Sequence, residues 1–378
     1  MNCIRWIIIT LSLAASSPGM EPLPSAPGRW TAERAKAWHV EHPFLAGANF
    51  IPSTACNQLE MWQAETFDTA TIDRELRYAH DLGFKTMRVF LHDLLWLDDR
   101  VGLLHRMAAY LDIAEKHGIK TMFVFFDSCW NPYPKSGLQP TPRPRTHNAG
   151  WVQSPGIAVL SDSAKQHHLK PYVQGVIQHF AKDPRILAWD VWNEPDNFDG
   201  GVRSTPREPA VKPALVLPLL KASFEWAREM QPSQPLTSAV WRAPGDLDAL
   251  DETKRVQLTH SDVVSFHCYE KPERFRAVVK SLQRLGRPLL CTEYMARGNG
   301  NDFDPILGVM KDERITAHCW GFVAGRTRTI YPVSSWRKTF TAEPPVWNNE
   351  ILHANGTPYR PAETDYIRRT LNPRSNAP

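Results

Sequence analysis

The fold of this chain is indicated most clearly by the stretch Ile186-Leu187-Ala188-Trp189-Asp190-Val191-Trp192-Asn193-Glu194-Pro195. Its nearly continuous apolar run has the length and character of a strand buried on both faces of a parallel sheet. The run ends directly in a glutamate. A second apolar run ends the same way 99 residues later (293 − 194), in Pro288-Leu289-Leu290-Cys291-Thr292-Glu293-Tyr294. Two carboxyl groups therefore follow two predicted strands.

The same order of strand, loop and amphipathic helix recurs along the chain. The clearest helix covers 166–182, where Leu169, Val173, Val176 and Phe180 recur at spacings of three and four residues. Because no glycine-rich phosphate loop follows any strand, the competing open, doubly wound sheet lacks its usual functional signature. The pattern predicts a single (β/α)8 TIM barrel over 28–372, with its site at the carboxyl ends of the strands. The predicted strands are 45–50, 84–91, 119–126, 186–192, 235–241, 263–267, 288–292 and 315–320.

The bulk composition is that of an ordinary soluble protein, and the length suffices for one large domain or two small ones. The chain has 378 residues, of which 42% are hydrophobic and 22% charged, and its formal net charge is +4. No basic run interleaved with aromatic residues is present, which argues against a nucleic-acid partner. We expect a monomer.

The first residues resemble a secretory signal peptide. Arg5 precedes an apolar core over 6–15, and small residues follow it. The core is too short to span a bilayer as a helix. We predict a signal peptide over 1–19 and a secreted or periplasmic protein with no membrane attachment after cleavage. A retained N-terminal anchor is the alternative.

Cysteine and histidine spacing gives no sign of a metal centre. Five cysteines remain after the signal peptide, an odd number without a CxxC pair, so we expect small buried side chains rather than disulfides or a zinc site. His92-Asp93 and His167-His168 lack the zincin spacing. We expect the latter pair at the solvated surface, and no metal or organic cofactor.

The carboxyl ends of the eight predicted strands carry polar and aromatic side chains. Two carboxyl groups in one cleft, one protonated and one ionised, are what cleavage of a glycosidic bond requires. A lone glutamate after a strand is more often a solvated loop residue, but two in this context argue for a shared site. The candidate residues are Asn49, Arg88, Asp127, Trp130, Asn193, Glu194, His267, Tyr269, Glu293 and Trp320, whereas Trp241 is expected to pack.

This set resembles glycoside hydrolase clan A, and within it the cellulase-type family 5, on Trp192-Asn193-Glu194-Pro195 and Thr292-Glu293-Tyr294 above all. The resemblance implies retaining hydrolysis of a β-linked glucan, mannan, xylan or related glycan. It makes Glu194 the acid/base and Glu293 the nucleophile. It also implies that Asn193 binds the sugar 2-hydroxyl, that Arg88 and Tyr269 hold Glu293, and that Trp320 forms the sugar platform.

One segment departs from the family pattern. Where many family members carry a histidine after the third strand, this chain has Asp127-Ser128-Cys129-Trp130 and then a long proline-rich loop. We expect that loop, 131–156, and the loop over 321–350 to wall the cleft. The departure leaves the sugar open.

Three alternatives share parts of this reading. A non-catalytic sugar-binding barrel would usually lose one glutamate, and an aldolase or isomerase would want a lysine or metal cluster at strand ends. A transglycosylase would use the same residues.

The charge of Arg88 is expected to keep Glu293 ionised, while aromatic neighbours keep Glu194 protonated.

Overall fold

The computed structural model describes residues 23–198, 202–203 and 207–372, so the predicted signal peptide over 1–19 lies outside the described residues. Eight parallel strands pair in the order β5-β4-β3-β2-β1-β8-β7-β6, and a parallel bridge between Val240 and Phe266 joins the two ends. The predicted single (β/α)8 barrel is therefore confirmed. The strands are β1 Ala46–Asn49, β2 Thr86–Phe90, β3 Lys120–Asp127, β4 Ile186–Asn193, β5 Leu236–Ala239, β6 Val264–His267, β7 Leu289–Glu293 and β8 Thr316–Cys319.

Helices surround the strands. Most begin at a side-chain cap: the helix that starts at Glu252, for example, is capped by Asp251, which accepts a hydrogen bond from Lys254 N. No helix of the described residues has the length and apolar composition to cross a membrane. The helices are α1 Ala32–Glu41, α2 Gln58–Trp62, α3 Thr69–Leu82, α4 Asp93–Lys116, α5 Ile157–Leu160, α6 Leu169–Phe180, α7 Lys212–Glu229, α8 Glu252–His260, α9 Pro272–Gln283, α10 Phe303–Asp312 and α11 Pro361–Leu371.

Close contact between strands and large buried rings set the barrel core. Gly47 on β1 is required by packing, since a Cβ there would lie 1.6 Å from the backbone oxygen of Thr86 on β2. Trp189 stacks on Phe123 and Phe125, and all three are fully buried. Each such side chain contributes roughly 2–3 kcal/mol through burial. These rings pack between the strands and the surrounding helices, where Phe123 contacts Tyr110 of α4 and Phe125 contacts Tyr172 of α6.

A buried polar cluster fastens the proline-rich loop to the barrel. The Asp93 carboxylate accepts a 2.7 Å hydrogen bond from Ser154 Oγ and lies 2.8 Å from His168 Nε2. His168 is buried, so the expected solvated position was wrong for this residue. The helix begins only at Leu169, after a 3-10 turn over Ser163–His168 that turns His168 inward. The histidine therefore has a structural partner in Asp93.

Candidate active site

A cleft of about 510 Å³ opens at the carboxyl ends of the strands. It contains seven of the ten candidate residues, namely Asp127, Trp130, Asn193, Glu194, Tyr269, Glu293 and Trp320. The other three, Asn49, Arg88 and His267, are buried and do not line it. The sequence therefore indicated both the cleft surface and part of the layer that supports it.

The two glutamates face each other across this cleft. A carboxylate oxygen of Glu194, one of Glu293 and a ring nitrogen of His267 all lie within 4.8 Å of one another. His267 Nδ1 lies 2.5 Å from Glu194 Oε1 and 3.5 Å from Glu293 Oε2. One histidine thus contacts both carboxyl groups.

Glu194 takes its position from the backbone that follows β4. Its φ of 47° lies in the left-handed region, which non-glycine residues seldom adopt outside special sites. Its backbone N–H donates to Ala239 O at 3.0 Å, which ties this turn to β5. Its Oε2 accepts hydrogen bonds from Asn197 Nδ2 at 2.5 Å and Cys129 Sγ at 3.0 Å. The carboxyl group is therefore held at both oxygens.

Glu293 has a different set of partners. Tyr269 donates its hydroxyl to Glu293 Oε2 at 2.8 Å, and Arg88 Nη1 lies 3.5 Å from Glu293 Oε1. Both contacts favour the ionised carboxylate. The residues that the sequence placed around Glu293 are thus next to it in space.

Arg88 is the centre of a buried polar network. Its closest carboxylate is Asp190 on β4, at 2.7 Å, and both side chains are fully buried. Its guanidinium also donates to Asn49 Oδ1 at 2.8 Å and to Asn193 Oδ1 at 2.6 Å. Asp190 was not among the predicted site residues, although an aspartate inside an apolar strand indicates that a buried cation lies near it.

Burial sets the proton affinities of the pair. It raises the pKa of Glu194 to about 7 and that of Glu293 to about 7. The contacts with His267, Arg88 and Tyr269 only partly oppose this effect at Glu293. Burial also lowers the pKa of His267 to about 4, so this histidine is neutral. Arg88 favours the ionised form of Glu293, as expected, but burial outweighs this contact and the net shift of the pKa is upward.

The close carboxyl groups instead behave as a pair. Two such groups within 4.8 Å resist ionising together, so they share one proton over the neutral range. Arg88 and Tyr269 favour the ionised form of Glu293, and Asn197 and Cys129 favour that of Glu194. The two groups therefore differ in their partners rather than in their pKa values.

Asp127 and Trp130 differ in what they offer a ligand. The Asp127 carboxylate accepts from Asn193 Nδ2 at 2.8 Å and from Trp151 Nε1 at 2.6 Å, and it is almost fully buried. Its contacts position Asn193. Trp130 lies in the cleft wall, where the guanidinium of Arg203 covers its ring at 3.7 Å. That face of the indole is occupied by a cation.

The two long loops wall the cleft as expected, and they bind each other. His147 N donates to Ser335 Oγ at 2.9 Å, and Trp336 Nε1 donates to His147 O at 2.8 Å. The lining residues that the sequence did not single out, or that were expected elsewhere, are Cys129, His147, Asn197, Arg203, Trp241, Arg242, Ala296, Gly298, Asn299, Pro332, Val333, Ser334, Asn348 and Asn349. Trp241, expected to pack, is half-buried at this surface.

Cysteine placement agrees with the sequence except at one position. The five cysteines of the described residues are buried and none forms a disulfide. Cys129 is the exception to a purely apolar role, since its thiol contacts Glu194.

Within the described part of the chain, Glu194, His267 and Glu293 are the only three side chains of metal-ligating type whose ligand atoms lie within 4.8 Å of one another. The expectation that the protein needs no metal stays a prediction.

Comparison with known proteins gives similarity in structure alone. No protein-family model and no curated protein sequence matches the chain. The exo-β-1,4-mannosidase of Opitutaceae bacterium strain TAV5 superposes with a TM-score of 0.57 at 18% identity, over 88% of this chain and 59% of that one. The endo-β-1,4-mannanase of Thermotoga petrophila gives 0.54 at 13% identity, over 90% and 80%. The β-1,4-mannanase of the sea hare Aplysia kurodai gives 0.51 at 17% identity, over 73% and 87%.

The chain has the fold of solved mannan-cleaving enzymes. The resemblance expected from the sequence is therefore confirmed at the level of the fold. At such low identity these neighbours establish the barrel and not the reaction.

Proposed function

We propose that this protein hydrolyses β-O-glycosidic bonds in a β-linked oligosaccharide or polysaccharide, with retention of anomeric configuration. The observation that carries the proposal is the pair Glu194 and Glu293, whose nearest ligand oxygens lie within 4.8 Å in an open cleft. Retaining enzymes keep their carboxyl groups about 5–5.5 Å apart, whereas inverting enzymes need roughly 6.5–9.5 Å to admit a water. The short separation supports retention.

In the first step Glu293 acts as the nucleophile. Its carboxylate attacks the anomeric carbon, the bond from that carbon to the leaving oxygen breaks, and Glu194 gives its proton to that oxygen. The product is a glycosyl ester on Glu293. Arg88 and Tyr269 support this role because their positive charge and hydroxyl stabilise the carboxylate before it attacks.

In the second step Glu194 acts as the base. It takes a proton from a water that attacks the same anomeric carbon, and the ester bond to Glu293 breaks. Asn197 and Cys129 both contact Glu194 Oε2, which favours the ionised form needed here. His267, neutral and bonded to Oε1, keeps the carboxyl group oriented in both steps.

The sugar contacts follow from the cleft surface. We assign the platform to Trp320, which is half-buried and braced edge-on by Phe90 and Trp151. Asn193 is fixed by Arg88 and Asp127, and its amide is assigned to the sugar 2-hydroxyl. Asn49 helps to hold Arg88 in place, because it accepts from Arg88 and donates to Thr292 O at 2.7 Å.

The names of the structural neighbours indicate which sugar to test first. Several solved proteins with this fold are named β-1,4-mannanase or exo-β-1,4-mannosidase. We therefore propose a β-1,4-mannan as the first substrate to test, ahead of glucan and xylan. Export through the predicted signal peptide would place the enzyme where such polymers occur, and N-terminal sequencing of protein from the native host tests it.

The experiment is a hydrolysis panel of mannan, β-glucan, xylan and aryl β-glycosides, with ¹H NMR of the first anomer released. Active wild type should release the β-anomer first. Glu293→Gln should abolish activity, while Glu229→Gln, an exposed glutamate on α7 paired with Lys170, should not. Activity unaffected by Glu293→Gln, or first release of the α-anomer, would refute the proposal. Products longer than the substrate would identify transglycosylation.

A further inference from the structure

The segment that follows β3 presents a thiol to the proposed acid/base. Cys129 Sγ lies 3.0 Å from Glu194 Oε2, and the amide nitrogens of Asn197 and Asn193 lie 3.4 Å and 3.5 Å from the same sulfur. Cys129 lines the cleft and is 8% exposed. Because both amides are donors, the sulfur accepts from them and its own proton points to the carboxylate.

The backbone around this thiol is fixed on each side by a buried side chain. Lys212 Nζ donates to Ser128 O at 2.7 Å, and Gln153 Nε2 donates to Trp130 O at 2.9 Å. Cys129 N itself donates to Asp127 Oδ1 at 3.0 Å. Lys212 is fully buried and is neutralised by Glu208 at 2.6 Å. The position of the thiol is therefore set by hydrogen bonds of the backbone on both sides of it.

The chemistry of the thiol suits donation rather than attack. Burial and the neighbouring carboxylates raise the pKa of Cys129 well above its ordinary value, so the group stays a neutral S–H. A neutral donor stabilises the ionised carboxylate without binding the proton that Glu194 must give away. It therefore favours the base form of the second step more than the acid form of the first.

From these contacts we infer that Cys129 is a positioning residue that holds Glu194 Oε2 and adjusts the pH range in which Glu194 gives and takes its proton. The inference rests on the proposed function for its effect on activity, but the thiol–carboxylate contact is independent of any substrate. Among the other described cysteines, no thiol donates a hydrogen bond to the carboxylate of Glu194 or of Glu293. Those cysteines therefore do not share this role.

The first test uses the pH profile of kcat/KM. Cys129→Ala removes a donor to the ionised carboxylate, so it raises the pKa of Glu194. The basic limb should move up by about 0.5–1 pH unit, the equivalent of one hydrogen bond. Cys129→Ser, which keeps a donor, should keep the limb near wild type. Cys56→Ala, a buried cysteine outside the cleft, is the matched control. A limb unmoved in a folded, active Cys129→Ala enzyme would overturn the inference.

The second test needs no activity. Methyl methanethiosulfonate forms a disulfide with the thiolate sulfur and releases methanesulfinate, and peptide mass spectrometry follows labelling of Cys129. Glu194→Gln removes the adjacent negative charge, so at pH 8 labelling should be at least about threefold faster than in wild type. Equal rates would overturn the inference. Inactivity of the wild type on every glycan would instead count against the proposed function alone.

Discussion

The fully buried ion pair between Arg88 and Asp190 gives the sharpest prediction for stability and activity together. Asp190→Asn keeps the size of the side chain and one acceptor oxygen but removes its charge. Arg88 then stays buried with Glu293 as its nearest carboxylate, at 3.5 Å. Asp190 also accepts from Trp192 N at 3.2 Å and Ala239 N at 3.3 Å, so the network on β4 and β5 loses its central anion.

Removing one partner of a buried pair typically costs about 3–5 kcal/mol, and the retained amide oxygen places Asp190→Asn near the lower end, at about 3 kcal/mol. The second effect is electrostatic. With Asp190 neutral, the charge of Arg88 acts on Glu293 alone and lowers its pKa. The acidic limb of kcat/KM should therefore move to lower pH by about one unit.

The assay combines urea unfolding with a pH profile on the best substrate. The matched control is Asp112→Asn, which removes the same charge from an exposed pair with Arg185 and should cost less than about 1 kcal/mol. The reasoning about the network is refuted if Asp190→Asn matches Asp112→Asn in stability. It is equally refuted if the acidic limb moves to higher pH.

Two further predictions address the platform and a buried carboxyl group. Trp320→Ala should lower kcat/KM about tenfold or more, mainly through KM, because a sugar loses the indole face; Trp320→Phe should be milder, and an unchanged KM in Trp320→Ala would exclude the platform role. Burial raises the pKa of Glu350 from 4.5 to about 7, so ionising it destabilises the fold as pH rises through that window. Between pH 5 and 8 the unfolding free energy of Glu350→Gln should therefore rise, relative to that of the wild type, by on the order of 3 kcal/mol. If urea unfolding gave the same difference between the two proteins at both pH values, the result would contradict this.

The barrel and the glutamate pair were predictable because both leave a local trace. A strand buried on both faces is an unbroken apolar run, and a polar residue at its end marks the cleft. Glu194 and Glu293 therefore stood out without any knowledge of the distances between them.

The rest depends on contacts between distant segments. Asp190 meets Arg88 across 102 residues, and His147 meets Ser335 across 188, so no local pattern shows either pair. His168 was misplaced because its partner, Asp93, lies on another helix. Cys129 was predicted to be a small buried residue because it follows an apolar strand in the sequence. The direction of its thiol depends on Glu194, which is distant in the chain, so the local sequence does not show it.

The central claim is the division of labour between the two glutamates, and azide rescue tests it most directly. Glu194→Ala lacks the base of the second step, but the first step survives on an aryl glycoside with a good leaving group. Azide needs no base, so it should restore turnover and give the β-glycosyl azide. Glu293→Ala lacks the nucleophile, so azide entering the vacated face should give the α-glycosyl azide. NMR of the two products should show these anomers, and the opposite pair would contradict the assignment.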